Sequence, residues 1–181
     1  SDMDGNTAVT TIAVDIAVSL GVVCVTAAGN SGSSSWYYII APADADSVIS
    51  VGAVDDNDII ATFSSHGPTS DGRTKPELCA RGRQTWCVNP NSNTNYSRLS
   101  GTSLACPLVA GAAALIIQAR PRWSAMEVRE AMMMTASNAD NPDNTYGYGI
   151  LNAGEAINYG ATSRNDNANS LPSDYDLIRA Y

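Results

Sequence analysis

The chain has 181 residues, of which 44% are hydrophobic and 15% are charged, and its formal net charge is −8. This length and apolar content suit one globular domain with a packed core. The acidic balance argues against nucleic acid or an anionic membrane as a partner, because both polyanions require Lys and Arg patches. No membrane span of roughly 18 apolar residues is predicted, since the longest apolar run, Ala105–Ile117, is interrupted by Pro107.

The amino terminus is acidic and polar and does not start with Met, which predicts a chain cut from a longer protein. Cys79 and Cys87 flank a short polar stretch, and their spacing is compatible either with a disulfide or with two free thiols in a loop. Cys24 and Cys106 lie in apolar segments and are expected to pack as small hydrophobic residues. No C-x-x-C spacing is present and the chain has one histidine, so no metal site is predicted.

The amino-terminal half alternates between helix and strand patterns. Residues Thr7–Leu20 carry apolar side chains at a spacing of four, which predicts an amphipathic helix. The apolar stripe consists of Ala8, Ile12, Ile16 and Leu20. Val22–Thr26 and Val48–Val54 are almost wholly apolar and rich in β-branched residues, which predicts two buried strands. A further short strand is predicted at Ile59–Phe63, before a loop over Ser64–Lys75 that is rich in small polar residues.

The carboxyl-terminal half contains two strong helix patterns. Thr102–Ala119 is apolar nearly all round, which predicts a helix buried in the centre of the protein. Ser124 and Glu127 match a capping box and predict the start of a second helix, whose methionine run at 132–134 fits a core position. A last short helix is expected to end near Tyr159.

Together these elements predict an α/β fold with a mainly parallel sheet flanked by helices. Gln84–Val88 and Tyr96–Leu99 are expected to pair as short strands in front of the central helix. In open parallel sheets, functional groups gather at the carboxyl ends of the strands. Asn30 follows the first predicted strand, and Ser103 stands at the start of the central helix.

The segment around Ser103 reads S-G-T-S-L-A-C-P-L-V-A-G over Ser100–Gly111. A serine in the first turn of a buried helix lies near unpaired backbone N–H groups and the positive end of the helix dipole. The alternative function of Thr102 or Ser103 is to cap the helix. The segment resembles the nucleophile motif of the subtilisin-like serine proteases, G-T-S-M-A-x-P-H-V-A-G, with Leu104 and Leu108 as departures. The resemblance implies that Ser103 is the nucleophile.

A second segment, Gly21–Gly32, resembles the same family's strand that ends in A-A-G-N. The resemblance implies that the Asn30 side chain donates a hydrogen bond to the oxyanion of the tetrahedral intermediate. The alternative is a turn residue, because Asn tolerates a positive φ. The resemblance further implies a substrate-binding surface. Its members are Ala28, Gly29, Ile40 and Thr102.

The resemblance continues in order along the chain. Residues 63–82 are similar to the family's F-S-S-x-G-P…K-P-D-x-x-A-P-G element, and the stretches 123–131 and 146–153 are similar to its closing helix and G-x-G-x-(I/L)-(N/D)-A element. Residues 1–160 are therefore identified as the carboxyl-terminal portion of a subtilisin-like peptidase domain whose amino-terminal half is missing. Residues 161–181 are interpreted as a polar tail.

Subtilisin-like proteases order their triad as Asp, His, Ser. Both partners precede the strand ending at Asn30, and no His stands there in this chain. His66 occupies the variable position of the F-S-S-x-G-P element and is interpreted as a loop residue rather than as a general base. Without a base a serine is a weak nucleophile. We therefore expect the isolated chain to have no appreciable peptidase activity.

The sequence supports two functions. The first is a serine endopeptidase present as a truncated or processed chain. The second is a non-catalytic relative that serves as a binding or structural module, although such a module requires neither Ser103 nor Asn30.

An incomplete sheet leaves an open edge and an uncovered apolar face, so we expect a partner: the amino-terminal fragment or a second copy. By alignment on Pro42, the resemblance implies that Ile40 lies near the floor of the primary pocket, where it is expected to favour small or short apolar side chains in the substrate. The resemblance implies secretion, no cofactor is identified, and structural calcium sites are not readable from the sequence.

Overall fold

The computed structural model describes residues 3–160, which form four helices and five strands. In chain order they are α1 (Val9–Ser19), β1 (Val25–Ala27), β2 (Ile49–Val54), β3 (Leu78–Arg81), β4 (Thr85–Val88), β5 (Tyr96–Leu99), α2 (Thr102–Ala119), α3 (Ala125–Met134) and α4 (Ala153–Asn158). The predicted tail, residues 161–181, lies outside the described residues.

A parallel sheet of order β1-β2-β3 forms the centre of the fold. All six residues of β2 are buried, which explains its unbroken apolar sequence. The predicted α/β class and parallel sheet are confirmed. β3 was not predicted, because a four-residue strand that follows Pro76 and ends at Arg81 has no strong apolar pattern.

Two strand predictions are corrected by the structure. Val22–Thr26 was predicted to be buried, but the strand at this place is β1, which pairs on one side only and whose three residues are all partly exposed. Ile59–Phe63 was predicted to be a strand, but it contributes only an isolated bridge between Val54 and Ile60. The predicted hairpin is confirmed, since β4 and β5 pair antiparallel.

Helix α2 packs on the sheet and contacts all three of its strands. One face of α2 lies in the main core; its buried members are Thr102, Ala105, Val109, Ala112, Ala113 and Ile116. The rest of α2 is exposed to solvent, and its large exposed apolar side chains are Leu108 and Leu115 on one flank of the helix and Ile117 on the other. The helix bounds are as predicted, but the prediction that α2 is buried on all sides is wrong for this chain.

By length and composition, α2 is also apolar enough to cross a bilayer, and it is the one helix among residues 3–160 with that property. From the sequence, Pro107 was expected to interrupt the longest apolar run, Ala105–Ile117. In the structure α2 continues through Pro107 and is 18 residues long. Core helices of proteins without a membrane span meet the same criterion. The contacts of α2 with the sheet are those of a core helix.

Helix α1 presents its apolar stripe to solvent. Ile12, Ile16 and Leu20, which the pattern predicts on the buried side, are all exposed, whereas Thr11 and Val18 are the buried residues of α1. The Thr11 hydroxyl donates to Asp44, which is itself fully buried. The described part of the chain therefore leaves apolar surface open on both α1 and α2.

Helix α3 starts at the predicted capping box. The Ser124 side chain accepts from the backbone N–H of Glu127, and the Glu127 side chain reaches back to the backbone N–H of Ser124. Met132 and Met133 are buried in the core, as expected, whereas Met134 is exposed.

A buried ionic network ties α3 to the sheet. The ammonium of Lys75 donates to Glu77 at 2.6 Å and to the carbonyl of Ala45 at 2.8 Å. Arg129 of α3 donates to the same carboxylate at 2.9 Å, and the Ser50 hydroxyl of β2 also binds it. Lys75 and Glu77 are almost wholly buried, so their charges are compensated by each other rather than by water.

All four cysteines are free thiols, which settles the two alternatives for Cys79 and Cys87 against a disulfide. Cys79 is buried in β3, and its thiol lies 3.5 Å from the carbonyl of Tyr146. Cys87 lies on the hairpin, where it faces Ser97 of β5. Burial raises the pKa of Cys79 to about 12.

Candidate active site

The carboxyl end of β1 leads into the first part of the site, residues 28–30. Ala28 is fully buried, and its backbone N–H donates to Val51 of β2 at 3.0 Å. Gly29 follows with a φ of 116°, a conformation that L side chains rarely adopt. A Cβ at this position would also lie 3.0 Å from Ile40 and 2.8 Å from the hydroxyl of Ser65. Glycine is therefore required for the chain to turn outward at Asn30.

The amino terminus of α2 supplies the second part of the site. Gly101 precedes the helix, and its backbone N–H donates to the carbonyl of Gly82 at 2.8 Å. This bond holds the start of α2 against the carboxyl end of β3. Thr102 is fully buried, whereas Ser103 is exposed. The nucleophile predicted from the sequence therefore stands in the first turn of α2 and is open to solvent.

Thr102 joins the two parts. The side-chain carbonyl oxygen of Asn30 accepts from the backbone N–H of Thr102 at 2.9 Å and from its hydroxyl at 3.0 Å. The same hydroxyl accepts from the backbone N–H of Gly29 at 3.2 Å. More than seventy residues separate Gly29 and Asn30 from Thr102, yet one hydrogen bond from Gly29 and two to Asn30 join them within the site.

These bonds leave hydrogen-bond donors on the solvent side. Because Oδ1 of Asn30 is held by Thr102, the amide nitrogen Nδ2 lies on the other side of the side chain, near Gly101. Within residues 3–160 neither Nδ2 of Asn30 nor the backbone N–H of Ser103 has an acceptor. Two donors at the positive end of a helix dipole form an arrangement suited to an anionic oxygen.

Thr102 was assigned to the substrate-binding surface from the sequence, but its side chain is buried beneath that surface. Ala28, Gly29 and Ile40 do come together: the backbone N–H of Ile40 donates to the carbonyl of Ala28 at 3.1 Å, and Ile40 lies against Gly29. The Ile40 side chain is 45% exposed, so it is open to solvent next to Gly29 and Asn30.

His66 contacts residues other than Ser103. Its ring stacks on Tyr37 with 4.4 Å between the ring centres, and its backbone pairs with the strand-like segment at Tyr38. Burial lowers the pKa of His66, although the carbonyl of Asn144 and the charge of Asp143 oppose this effect. His66 is the one histidine of the chain, so residues 1–181 place no imidazole in contact with the Ser103 hydroxyl.

Two buried serines support the site, and sequence reasoning gave them no role. The Ser65 hydroxyl accepts from the backbone N–H of Ser31 at 3.0 Å, and the Ser65 backbone donates to the carbonyl of Gly29. The Ser64 hydroxyl accepts from Ala53 of β2. The signal was the F-S-S-x-G-P segment itself, because consecutive serines in a segment without helix pattern often bind backbone groups.

Among residues 3–160 no group of three His, Cys, Asp or Glu side chains is arranged to hold a metal ion. A polar cleft of 420 Å³ lies where α3 ends, lined by residues 134–141 and Glu155. It includes none of the residues around Ser103.

The sequence of the chain is similar to those of known proteins. A model of the family described as "Subtilase family" matches residues 1–149. Subtilisin DY of Bacillus licheniformis is 48% identical over 141 residues, which cover 77% of this chain and 48% of that protein. The serine protease AprX of Bacillus subtilis (strain 168) is 39% identical over 165 residues, which cover 80% of this chain and 37% of AprX.

The fold of the chain is also similar to that of a protease domain whose structure has been solved. The self-cleaved protease domain of PatA superimposes with a TM-score of 0.64 at 29% sequence identity, over 81% of this chain and 53% of that domain. The chain thus spans about half the length, or less, of the relatives that it matches.

Proposed function

The chain belongs to the subtilase family, and on that premise we propose that it is the carboxyl-terminal part of a serine endopeptidase. In this proposal Ser103 is the nucleophile and Asn30 is an oxyanion donor. The observation that carries it is the set of hydrogen bonds through which Thr102 holds Asn30 beside the first turn of α2.

Peptide hydrolysis follows from this geometry in two stages. A general base takes the proton of the Ser103 hydroxyl as its oxygen attacks the scissile carbonyl, and the carbonyl oxygen becomes an oxyanion. The amide nitrogen of Asn30 and the backbone N–H of Ser103 then donate to this oxygen. Collapse of the intermediate breaks the C–N bond, and the base gives its proton to the departing amine, which leaves an acyl-enzyme. Water, deprotonated by the same base, attacks the acyl-enzyme, the carboxylic acid is released and the proton returns to Ser103.

The general base has to come from outside residues 1–181. A base must lie about 2.6–3.2 Å from the hydroxyl that it deprotonates, or one water away. The single histidine stacks on Tyr37 instead. We therefore propose that the triad Asp and His belong to the remainder of the same catalytic domain, and that the isolated chain is inactive or nearly so.

Two uncovered apolar surfaces support a partner for this chain. The exposed stripe of α1 includes Ile16, and the exposed face of α2 includes Leu115. β1 is an edge strand of the sheet, with one side unpaired among the described residues. We propose that the amino-terminal part of the catalytic domain covers these surfaces, and that the isolated chain self-associates through them. Secretion is part of the proposal and rests on the similarity to the subtilisins alone.

The pocket residues support a proposal on specificity. Ile40 lies against Gly29, next to Asn30, so we propose that the protease prefers small or short apolar side chains at the position that enters this pocket. A peptide library checks this. A preference for large aromatic or for basic side chains at that position would contradict it.

The decisive experiment is labelling of Ser103 with a fluorophosphonate, read by mass spectrometry, on the 181-residue chain and on the longer protein that contains it. We expect labelling of the longer protein and not of the chain, with the Ser103→Ala variant as the blank. Labelling of neither would favour the non-catalytic module instead. Labelling of the isolated chain would show that the base lies within residues 1–181.

The partner proposal has its own test. Sedimentation of the isolated chain should show self-association, and mixing with the amino-terminal part of the domain should replace it by a one-to-one complex. Leu115→Asp should weaken both associations. Met126→Asp is the matched control, because Met126 is similarly exposed but lies on α3. A monodisperse monomer that does not bind the amino-terminal part of the domain would contradict the proposal.

A further inference from the structure

The hairpin of β4 and β5 carries apolar and aromatic side chains that no other part of residues 3–160 covers. In its register Trp86 faces Arg98 and Val88 faces Tyr96, so these four side chains share one face. Trp86, Val88 and Tyr96 are 61%, 67% and 71% exposed. Aromatic residues and arginine are the types enriched at protein contact surfaces. This face, made by the four residues, is called the hairpin face below.

Arg98 gives the hairpin face its charge. Its guanidinium lies over the ring of Trp86, 4.8 Å from the ring centre. A guanidinium stacked in this way keeps N–H groups at its edge, which suit a carboxylate. Within residues 3–160 Arg98 has no acidic partner, whereas Lys75 and Arg129 share Glu77. The hairpin face therefore offers an uncompensated positive charge on a chain whose net charge is −8.

The hairpin rises directly from the site. Its two ends are joined where the backbone N–H of Gln84 donates to the Ser100 hydroxyl at 3.0 Å, and where Gly101 donates to Gly82. Ser103 follows Ser100 by three residues. A short chain segment therefore connects the hairpin face to the proposed nucleophile.

The hairpin and the pocket lie on opposite sides of Ser103. Asn30, with its neighbour Ile40, follows β1, and the hairpin follows β3, while β2 separates these two strands. The first turn of α2 bridges them, because Thr102 binds Asn30 and Gly101 binds Gly82. A polypeptide that lies against Ile40 and continues across Ser103 therefore runs from the end of β1 toward the end of β3, where the hairpin starts.

We propose that the hairpin face binds the polypeptide substrate on the leaving-group side of the scissile bond, and that Arg98 selects an acidic side chain there. The inference rests on the proposed function, since it concerns the substrate of the same site. Arg98 precedes Ser103 by five residues, so their Cα atoms lie at most about 17 Å apart. The second to fourth residues of an extended substrate after the scissile bond lie roughly 7–13 Å from that bond, which is within this distance.

The test measures binding without turnover. The longer protein that contains this chain, carrying Ser103→Ala, is titrated with fluorescent peptides in which one Asp is moved through the second to fourth leaving-side positions, each matched with an Asn peptide. We expect one Asp peptide to bind about 3- to 10-fold more tightly than its Asn match at low salt. This preference should vanish at about 1 M salt, where the Debye length is about 3 Å.

Variants assign the effect to the hairpin face. Arg98→Ala should abolish the Asp preference, and Arg98→Glu should replace it by a preference for Lys at the same position. Trp86→Ala should weaken the binding of both peptides. Arg122→Ala is the matched control, because Arg122 is exposed and lies outside the hairpin, and it should leave the preference unchanged.

Equal binding of Asp and Asn peptides at every position, or a preference that survives in Arg98→Ala, would overturn the inference. The wild-type protein is assayed for hydrolysis in parallel, which separates the two proposals. Hydrolysis without Asp preference overturns the hairpin inference alone. Asp preference without hydrolysis overturns the proposed protease function and leaves the hairpin face as a peptide-binding surface.

Discussion

The side-chain oxygen of Asn30 lies 2.9 Å from the backbone nitrogen and 3.0 Å from the hydroxyl of Thr102, so the residue before the proposed nucleophile orients the proposed oxyanion donor. The backbone N–H of Thr102 binds Asn30 whatever the side chain at this position is. The hydroxyl adds a second bond and also anchors Gly29. The two contributions can therefore be separated by mutation.

Thr102→Val removes the hydroxyl and keeps the shape of the side chain. In the complete protease we expect kcat to fall about 2- to 10-fold with little change in KM, because the lost bond from the hydroxyl to Asn30 contributes about 0.5–1.5 kcal/mol. The bond from the backbone N–H of Gly29 is lost as well, and we expect that loss to lower the stability of the fold. Thr102→Ser keeps the hydroxyl and should retain most of the activity. Asn30→Ala should cost about 10²–10³ in kcat, the range known for the oxyanion-hole asparagine of subtilisin. A Thr102→Val enzyme with unchanged kcat would show that the backbone bond suffices.

Glu77→Gln should destabilise the fold severely. The substitution leaves Lys75 and Arg129 beside a neutral amide, with Lys75 almost wholly buried. Removing one partner of a buried ion pair costs about 3–5 kcal/mol. Urea denaturation measures the change in the free energy of unfolding. Glu130→Gln, at an exposed position of α3, is the control, and it should change this free energy by less than about 0.5 kcal/mol. Equal stability of the two variants would contradict the proposed importance of the network.

The thiols should differ in reactivity. Cys79 is buried and its pKa is raised to about 12, so at neutral pH it carries almost no thiolate. Cys87 is partly exposed on the hairpin. Maleimide labelling of the native protein, followed by peptide mass mapping, should modify Cys87 long before Cys79. Denatured protein should label both at similar rates. A native protein with a Cys79–Cys87 disulfide would refute the structural assignment.

His66 should make the stability depend on pH below about 6.5. Burial lowers the pKa of His66 beneath its ordinary value of 6.5. The unfolded chain therefore binds a proton at a higher pH than the folded chain, and stability is lost as the pH falls from about 6.5 through the folded pKa. His66→Phe preserves the aromatic stack on Tyr37 and should reduce the difference in Tm between about pH 7.5 and pH 5.5. If His66→Phe leaves the difference in Tm between the two pH values unchanged, groups other than His66 cause the pH dependence.

The sequence predicted the elements whose signals are local. The bounds of α2 follow from a pattern that is apolar nearly all round and that Pro121 ends, and the start of α3 follows from Ser124 and Glu127, whose reciprocal bonds require only neighbouring residues. The positions of Asn30 and Ser103 were predictable because each stands in a long motif. These signals do not depend on how distant segments come together.

The features that the sequence did not predict depend on distant contacts. The buried hydroxyl of Thr102 binds Asn30 across 72 residues, which no local pattern encodes. β3 becomes a strand because β2 offers it a partner. The apolar stripe of α1 was expected on the buried side of the helix, but it is exposed. An amphipathic pattern indicates that one face of a helix is covered, and it does not indicate which chain covers that face.

The outer face of α2 bears on how the chain behaves when it is produced without a partner. Leu108, Leu115 and Ile117 remain in water on the two flanks of the helix, while the buried face of α2 packs in the core. Surfaces of this kind recruit chaperones and promote precipitation at cellular concentrations. When this chain is produced without a covering segment, we therefore expect its soluble yield to be limited by aggregation rather than by the rate at which it is translated.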